Sequence, residues 1–206
     1  MDINASRSTA IGMSVVTLVS GGLDSTVMAV LAREEGVAQS PLFIDYGQRS
    51  RHREWVACTN TFRKLGLPRP RKMNIAGFGK TVRSGLTSKK LDVFKDAFLP
   101  ARNLLFLVCG AAFAKDVGAK AVLIGLLDES THLFPDQTDK FLAHASQAIH
   151  QALGEQIEVV APLRPFVKRD IVRLAGKHGV TGTYSCHRGT LRPCGTCIAC
   201  REFIGI

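Results

Sequence analysis

Strand-like and helix-like segments alternate along almost the whole chain, and this alternation constrains the fold more than any other feature of the sequence. Short runs rich in β-branched and other apolar residues predict strands at residues 14–20, 41–46, 71–75, 121–125 and 157–161. Apolar residues at helical spacing predict helices at residues 25–35, 53–65, 102–117, 136–153 and 168–178. We therefore expect an α/β fold with a Rossmann-like, doubly wound parallel sheet, in which ligands bind where the strands end.

Size and charge limit the classes of protein to which this chain can belong. Its 206 residues fit one compact unit, and no apolar run is long enough to span a bilayer. The amino-terminal residues lack the pattern of a secretory signal, so we expect a cytoplasmic protein that does not enter membranes. The formal charge of +10 suits anionic partners, but the basic residues are dispersed and are not interleaved with aromatic residues. Small anionic substrates explain that charge as well, and we do not expect nucleic acid as a direct substrate.

A glycine pair follows the first predicted strand, within the run Ser-Gly-Gly-Leu-Asp-Ser-Thr at residues 20–26. Two glycines allow a sharp turn and a close approach to a ligand, although a glycine pair alone is ordinary turn chemistry. The run also places three hydroxyl side chains at the amino end of a helix, where free N–H groups attract anions. Asp24 can cap that helix or hold Mg²⁺. The complete run predicts a site for the phosphates of a nucleotide.

Four cysteines near the carboxyl end, Cys186, Cys194, Cys197 and Cys200, are separated by seven, two and two residues. Gaps of two residues allow neighbouring thiolates to converge on one tetrahedral ion, and the set suits structural Zn²⁺. An iron–sulfur cluster is the alternative that the spacing leaves open, whereas disulfides do not fit a cytosolic chain. The other two cysteines lie in predicted helices, where a buried thiol acts as a small hydrophobic side chain.

Residues 77–100 show weak periodicity and contain glycines and several lysines. A segment of this length without predicted structure inside a compact domain is usually a lid or a binding loop. We therefore predict that this segment is mobile.

The run at residues 20–26 resembles the phosphate loop of the PP-loop ATP pyrophosphatases, which split ATP into AMP and pyrophosphate. Two further stretches narrow the resemblance, Ile-Asp-Tyr-Gly-Gln-Arg at residues 44–49 and Leu-Pro-Ala-Arg-Asn-Leu-Leu-Phe-Leu at residues 99–107. Together with the cysteine set, they are similar in order and spacing to the 7-cyano-7-deazaguanine synthase family, over almost the whole chain. We accordingly expect a disordered leader at residues 1–12, an ATP-binding domain at residues 13–180 and a zinc-binding segment at residues 181–206.

The resemblance implies a reaction in two stages. Members of the family adenylate the carboxylate of 7-carboxy-7-deazaguanine with ATP and let ammonia displace AMP, which gives an amide. A second ATP then drives dehydration of the amide to the nitrile. The implied cofactors are ATP, Mg²⁺ and Zn²⁺, and the implied assembly is a homodimer.

The resemblance also implies roles for individual side chains. Asp24 is expected to hold Mg²⁺, and Arg102, a cation that opposes the dipole of its helix, is expected to face a ligand. The expected catalytic residues are Asp24, Ser25 and Arg102. The expected ATP contacts are Ser20, Gly21, Gly22, Leu23, Asp24, Ser25, Thr26, Tyr46, Gln48, Arg49, Asn103 and Gly125. The expected contacts to the deazaguanine are Arg102, Ser130, His132, Phe134 and Asp136.

The stretch at residues 126–138, which is expected to face the deazaguanine, departs from the family pattern. It keeps Pro135 and Asp136 but has Ser130, His132 and Thr138 where Asp, Ser and Arg are usual. The ATP half of the pattern is therefore intact, whereas the acceptor half has changed.

Two single-residue departures lie elsewhere, at Ala101, where Gly is usual, and at Ser50, where His is usual. The departures leave open a relative from an antiphage defence or DNA-modification system, which would pass the activated deazaguanine to a protein amine or a nucleic-acid pathway. A second alternative is a PP-loop enzyme that modifies tRNA. Thiolation enzymes usually need a reactive cysteine near the ATP site, and the four clustered cysteines are better used on zinc.

Overall fold

The computed structural model describes residues 14–206, so the predicted leader at residues 1–12 lies outside the described residues. The strands are β1 (Ser14–Val19), β2 (Ala38–Asp45), β3 (Arg71–Asn74), β4 (Ala121–Leu123) and β5 (Glu158–Val160). The helices are α1 (Leu23–Glu34), α2 (Arg51–Lys64), α3 (Ala76–Thr81), α4 (Arg102–Val117), α5 (Asp139–Leu153), α6 (Lys168–Lys177) and α7 (Ile198–Arg201). Two short 3₁₀ turns, Glu129–Thr131 and Pro135–Gln137, precede α5.

Each strand and helix predicted from the sequence is present, with ends shifted by a few residues. Helix α1 begins earlier than predicted, at Leu23, because the carbonyl of its extended N-cap residue Gly22 already accepts a hydrogen bond from Thr26 N at 3.3 Å. Helix α5 begins later, since Thr138 Oγ1 accepts a hydrogen bond from Phe141 N at 3.1 Å and caps the helix there. The residues before this cap form the second 3₁₀ turn instead.

The strands form one parallel sheet in the order β3–β2–β1–β4–β5. The chain builds outward from β1 to β3 and then crosses to the other side of β1 to place β4 and β5. The order therefore reverses between β1 and β4, and this reversal creates a crevice at the carboxyl ends of these strands. The predicted α/β, doubly wound fold is confirmed.

Helices cover both faces of the sheet, and the side chains of β1 alternate between two apolar clusters. Val16 and Leu18 pack in a cluster that includes residues of α4 and α5. Val15 and Val19 pack in a second cluster, with residues of α1, α2 and α6. Because both faces are apolar, the central strand is buried from residue 15 to residue 19 and gives the site a rigid floor.

The segment at residues 77–100 differs from the prediction. It overlaps α3, and Leu86, Val93, Ala97 and Leu99 are buried. Isolated apolar residues at irregular spacing anchor the segment turn by turn, a pattern that periodicity does not detect. The prediction that this segment has no structure of its own is therefore wrong, since the segment packs against the domain, whereas its mobility stays a prediction.

Apolar character is highest in α4, which packs against the sheet. No helix within residues 14–206 has the length and apolar character needed to cross a membrane. The cytoplasmic location stays a prediction.

Candidate active site

A cleft opens at the reversal point of the sheet. β1 runs into the loop at residues 20–22, and β4 leads to Gly125, and both border the cleft. The amino ends of α1, α4 and α6 border it through Asp24, Arg102 and Lys168. The segment that carries the cysteines closes the remaining side. Helix amino ends and two cations therefore surround a space that suits an anionic ligand.

Gly21 lets the loop approach two other parts of the chain. Its φ of +80° lies in the left-handed region, and a Cβ there would come within 2.3 Å of the Glu54 carbonyl oxygen and 3.0 Å of Cys58 N. Tyr184 N donates a hydrogen bond to Gly21 O at 2.8 Å. Only glycine fits this position, where β1, α2 and the carboxyl-terminal segment meet.

The hydroxyl groups of the loop close it on itself. Ser20 N donates to Ser25 Oγ at 3.1 Å, and the two hydroxyl oxygens also lie 3.1 Å apart. Gly22 N donates to Ser20 Oγ at 3.2 Å, while Thr26 Oγ1 donates to Gly22 O at 2.8 Å. These bonds hold the loop in one conformation at the mouth of the cleft.

Asp24 is paired with Lys168. The lysine Nζ lies 2.7 Å from each carboxylate oxygen of Asp24 and 2.7 Å from Glu202 Oε2. Burial lowers the pKa of Lys168, but the two carboxylates raise it, and the net pKa is above the usual range. Lys168 therefore stays charged and adds a second cation to the one predicted at Arg102.

Aromatic side chains support Arg102 on its side of the cleft. Its guanidinium carbon lies 5.9 Å from the ring centroid of Phe106, which in turn lies 5.2 Å from that of Tyr46. Burial raises the pKa of Tyr46 to about 12, although the neighbouring Arg102 acts in the opposite direction. The phenol is therefore protonated and neutral at physiological pH.

The backbone before Arg102 is strained. Ala101 has a φ of +59°, and it is the one non-glycine residue with positive φ in the described chain. This is a position where the family pattern has Gly, and a left-handed alanine costs about 1–2 kcal/mol. The structure thus keeps the glycine-like conformation without the glycine.

A buried network stabilises the end of β2. Gln48 Nε2 donates to Glu54 Oε2 at 2.9 Å, and Ser50 Oγ donates to Glu54 Oε1 at 2.6 Å. Gln48 Oε1 accepts a hydrogen bond from Tyr46 N at 3.0 Å. Burial raises the pKa of Glu54, although both donors lower it. Ser50, at a position where His is usual in the family, thus donates a hydrogen bond to the buried Glu54 carboxylate.

Asn103 and Asp136 are joined by hydrogen bonds at the edge of the cleft. Asn103 N donates to Asp136 Oδ2 at 3.2 Å, and Asn103 Nδ2 donates to Asp136 O at 2.9 Å. Both residues are buried. Their bonds fix the 3₁₀ turn Pro135–Gln137 against the start of α4, and Gln137 borders the cleft.

The remaining residues of the 126–138 stretch bond mainly to their own neighbours. Ser130 N donates to Asp128 Oδ1 at 2.9 Å, and His132 Nδ1 lies 2.7 Å from a carbonyl oxygen three residues earlier. Ser130 and His132 are exposed. The ring of Phe134 lies 5.1 Å from that of Phe98. The structure does not bring these three predicted substrate contacts to the cleft.

The predicted site residues thus fall into two groups. Those that border the cleft are Ser20, Gly22, Leu23, Asp24, Ser25, Tyr46, Gln48, Arg102, Asn103 and Gly125. Those that do not are Gly21, Thr26, Arg49, Ser130, His132, Phe134 and Asp136. Arg49 instead donates from Nη1 to Gly85 O at 3.2 Å. Position alone does not test a contact with ligand, so all these roles stay predictions.

Several polar residues border the cleft without a role assigned from the sequence: Glu54, Gln137, Lys168, Tyr184, Ser185, His187 and Glu202. Lys168 opposes the dipole of its helix, as Arg102 does, and this signal was available in the sequence. Tyr184, Ser185, His187 and Glu202 lie in loops or turns, and no periodic pattern in the sequence predicts where such residues lie.

His187 is a neutral imidazole at the cleft. Its Nδ1 is buried and has no hydrogen-bond partner among the described residues. Burial, together with the charges of Arg102 and Lys168, lowers the pKa of His187 to about 4. The ring therefore offers an unsatisfied polar atom next to two cations.

The four predicted metal ligands converge. The sulfur atoms of Cys186, Cys194, Cys197 and Cys200 all lie within 4.8 Å of one another. Cys194 and Cys200 are 3.9 Å apart, close to the ~3.8 Å that a tetrahedral ion with ~2.3 Å metal–sulfur distances requires. Backbone N–H groups of Cys194 and Cys197 point at sulfur, each at 3.4 Å. The donor set fits a metal ion.

The thiol chemistry of the cluster also favours a cation. Although burial raises the pKa of Cys194, hydrogen bonds from Thr196 and Cys197 lower it to about 5. Burial and the neighbouring Cys197 raise the pKa of Cys200 to about 12. Four thiolates cannot coexist at these distances unless a positive ion offsets their repulsion.

The parallel sheet and the serine–glycine loop at its reversal point define an α/β protein of the PP-loop class. Solved structures agree on the fold. A 4-thiouridine synthetase–RNA complex with bound ATP has a TM-score of 0.54 at 21% identity, over 82% of this chain and 42% of that one. NMN synthetase from Francisella tularensis has a TM-score of 0.54 at 17% identity, over 86% of this chain and 66% of that one.

Sequence comparisons identify the family. The family described as queuosine biosynthesis protein QueC matches residues 14–203. The 7-cyano-7-deazaguanine synthase of Nautilia profundicola is 33% identical over 90% of this chain and 89% of its own length. The synthase of a Sulfurovum species is 31% identical over 92% of this chain and 91% of its own. The chain belongs to the QueC family of enzymes, and the predicted resemblance is confirmed.

Proposed function

We propose that this chain is an ATP-dependent ligase that converts 7-carboxy-7-deazaguanine into 7-cyano-7-deazaguanine. One observation carries the proposal: in a member of this family, the loop at residues 20–26 and the charged residues Asp24, Arg102 and Lys168 border a single cleft. A phosphate cradle beside two cations is what adenylation of a carboxylate requires.

The first step forms an acyl adenylate. A carboxylate oxygen of the acceptor attacks the α-phosphorus of ATP, and the bond from that phosphorus to pyrophosphate breaks. Negative charge grows on the phosphate oxygens, and Arg102 and Lys168 lie where they can stabilise it. Asp24 offers carboxylate oxygens of the kind that Mg²⁺ prefers, and the bound ion would offset phosphate charge.

The later steps exchange oxygen for nitrogen. Ammonia attacks the acyl carbon, the new C–N bond forms, a proton is lost, and AMP leaves. The amide oxygen then attacks a second ATP and releases pyrophosphate and a proton. Departure of AMP with loss of the second N–H proton leaves the nitrile. The neutral ring of His187 and the phenol of Tyr46 are polar groups of the cleft that the deazaguanine can contact.

We assign a structural role to the cysteine cluster, with Zn²⁺ as its ion. The donor set is four sulfurs with no open position assigned to a substrate, which is typical of structural zinc. The cluster holds the segment that closes the cleft. The ion would therefore affect activity indirectly, by fixing the position of that segment. The proposal includes a cytoplasmic homodimer, as the family resemblance implies.

One incubation tests the function. The pure protein is mixed with Mg-ATP and 7-carboxy-7-deazaguanine, with and without ammonium, and AMP, amide and nitrile are followed by mass spectrometry. We expect AMP only when the acceptor is present, and nitrile only when ammonium is added. No AMP under any condition would reject the proposal.

A variant nucleophile is the second candidate. The observation that favours it is the 126–138 stretch, which departs from the family pattern, is exposed at residues 130–133 and borders the cleft only through Leu126 and Gln137. In such a variant, an amine of a partner protein replaces ammonia. AMP formation without nitrile, together with a mass increase on an added amine-bearing protein, would select this candidate.

The structure argues against sulfur transfer. Cys58 lies next to the phosphate loop, but burial raises the pKa of its thiol to about 12. Its side chain is fully buried and so is inert toward a substrate. The four clustered cysteines face one another instead.

A further inference from the structure

Lys168 is shared between two carboxylates that lie far apart in the sequence. Its Nζ lies 2.7 Å from both oxygens of Asp24 and 2.7 Å from Glu202 Oε2. The lysine side chain is 13% exposed, whereas the Asp24 and Glu202 side chains are 29% and 38% exposed. An amine so far removed from water needs acceptors on more than one side to stay charged and in place.

Glu202 is held firmly at this position. Helix α7 begins directly after Cys197 and contains Cys200, so the cysteine cluster fixes the backbone just before Glu202. On one side of it, the Arg201 guanidinium lies 4.4 Å from the ring centroid of Phe94. On the other side, the Phe203 ring lies 5.4 Å from Lys168 Nζ. The carboxylate is therefore anchored before ligand arrives.

The carboxylates of Asp24 and Glu202 have different roles in the proposed reaction. In the proposed function, Asp24 turns its oxygens to Mg²⁺, and Lys168 then loses its contacts with Asp24. Glu202 is the remaining carboxylate that contacts Lys168 in the described structure. Without it, the charged amine would have only the phosphates and the face of the Phe203 ring to hold it in the cleft.

We infer that Glu202 is a positioning residue, which holds Lys168 Nζ at the cleft so that the amine can stabilise charge on the phosphates. The inference rests on the proposed function. Glu202 acts through Lys168, since a carboxylate placed directly against a phosphate would repel it. The segment bearing the metal site therefore contributes a side chain that orders the catalytic charges.

The test compares Glu202→Gln with Glu155→Gln in the full chain. Glu155 pairs with Lys115 at 3.2 Å and does not border the cleft, so its variant is the matched control. We expect Glu202→Gln to lower the maximal rate of AMP formation about tenfold, with less than a twofold change in the KM for ATP. The control is expected to keep the wild-type rate, and both variants are expected to keep the wild-type metal content.

A double variant separates positioning from a general structural effect. In a Lys168→Met background, Glu202→Gln is expected to change the rate by less than about twofold, because the residue that it positions is absent. A full additional tenfold loss in that background would overturn the inference. Equal rates in the wild type and Glu202→Gln would overturn it as well.

A labelling experiment tests the inference without turnover. Reductive methylation followed by peptide mass spectrometry measures the accessibility of Lys168 in the presence of Mg²⁺ and a non-hydrolysable ATP analogue. We expect faster methylation of Lys168 in Glu202→Gln than in the wild type, and no change in Glu155→Gln. Unchanged methylation in Glu202→Gln would overturn the inference. An absence of AMP from the wild type would instead reject the proposed function.

Discussion

The loop at residues 20–26 and the stretch at residues 126–138 follow neighbouring strands, β1 and β4, yet they are held in different ways. The loop is fixed by backbone approaches from elements distant in sequence, as Gly21 shows against α2 and Tyr184. Within the stretch, residues 130–133 are exposed and bond to neighbouring residues, whereas Asp136 is buried against Asn103. The loop proposed to bind ATP is thus packed against distant elements, whereas residues 130–133 of the stretch proposed to meet the acceptor can be substituted at little structural cost.

The largest expected effect on activity is at Asp24, in the loop. Asp24→Asn keeps the shape of the side chain but removes the charge proposed to hold Mg²⁺, and we expect AMP formation to fall about 10³-fold. Steady-state assays and circular dichroism measure the rate and the fold. Asp116→Asn, an exposed change on α4, is the control and should leave the rate unchanged. A similar fall in both variants would show that the loss is not specific to the loop.

Metal removal tests how the closing segment supports the loop. Cys197→Ser is expected to lose the bound ion and to lower AMP formation about 10–100-fold, because Ala199 and Glu202 no longer border the cleft. Elemental analysis and hydrogen exchange would show metal loss and faster exchange at residues 186–202. Cys109→Ser, outside the cluster, should retain both metal and rate. Full activity without metal would contradict the proposed dependence.

A stability comparison contrasts α2, against which the loop packs at Gly21, with the region at residues 126–138. Glu54→Ala leaves the buried donors of Ser50 and Gln48 without an acceptor, and we expect a loss of about 2–3 kcal/mol in the free energy of unfolding. Glu129→Ala, in the other region, removes one contact to Asp139 N at 3.2 Å and should cost less than about 1 kcal/mol. Urea unfolding measures both.

The effect of Glu54→Ala should depend on pH. Because burial raises the pKa of Glu54, the folded protein holds the carboxyl proton more tightly than the unfolded chain. This contribution is complete below the unfolded pKa and is lost as the pH rises through the folded pKa. The difference between wild type and Glu54→Ala is therefore largest at acid pH. A difference that grows as the pH rises would contradict this assignment.

The smallest effect is expected at His132. Its ring is exposed and its Nδ1 contacts only a nearby carbonyl oxygen, so His132→Ala should change the KM for the acceptor by less than about threefold. His187→Ala, at the cleft, serves as the comparison and should raise that KM more. A large rise for His132→Ala would show that the stretch folds over the bound acceptor, as the family resemblance implies.

Much of the fold was predictable because each signal is local. Apolar spacing located the strands and helices, and glycine beside hydroxyl residues located the loop at residues 20–26. The cysteine spacing predicted a convergence that the structure confirms. The class, the parallel sheet and the metal-binding set all follow from patterns no longer than one strand, turn and helix.

The rest depends on contacts between distant residues, which no local pattern contains. The pairing of Lys168 with Glu202 joins the start of α6 to the residue after α7. Segment 77–100 is held by Leu86 and Val93, whose spacing matches neither helix nor strand. Burial of His187 against Arg102 and Lys168 likewise arises only after the chain closes on itself.

The hydrogen bond from Tyr184 to Gly21 has a consequence for the order in which the protein forms. Residues 14–64 supply β1, α1, β2 and α2 and emerge early from the ribosome. The wall of the cleft made by Tyr184, His187 and Glu202 is synthesised after them. A nascent chain therefore carries the proposed phosphate loop before the cleft is closed, and the proposed ATP activation must wait until the cysteine-bearing segment folds back onto that loop.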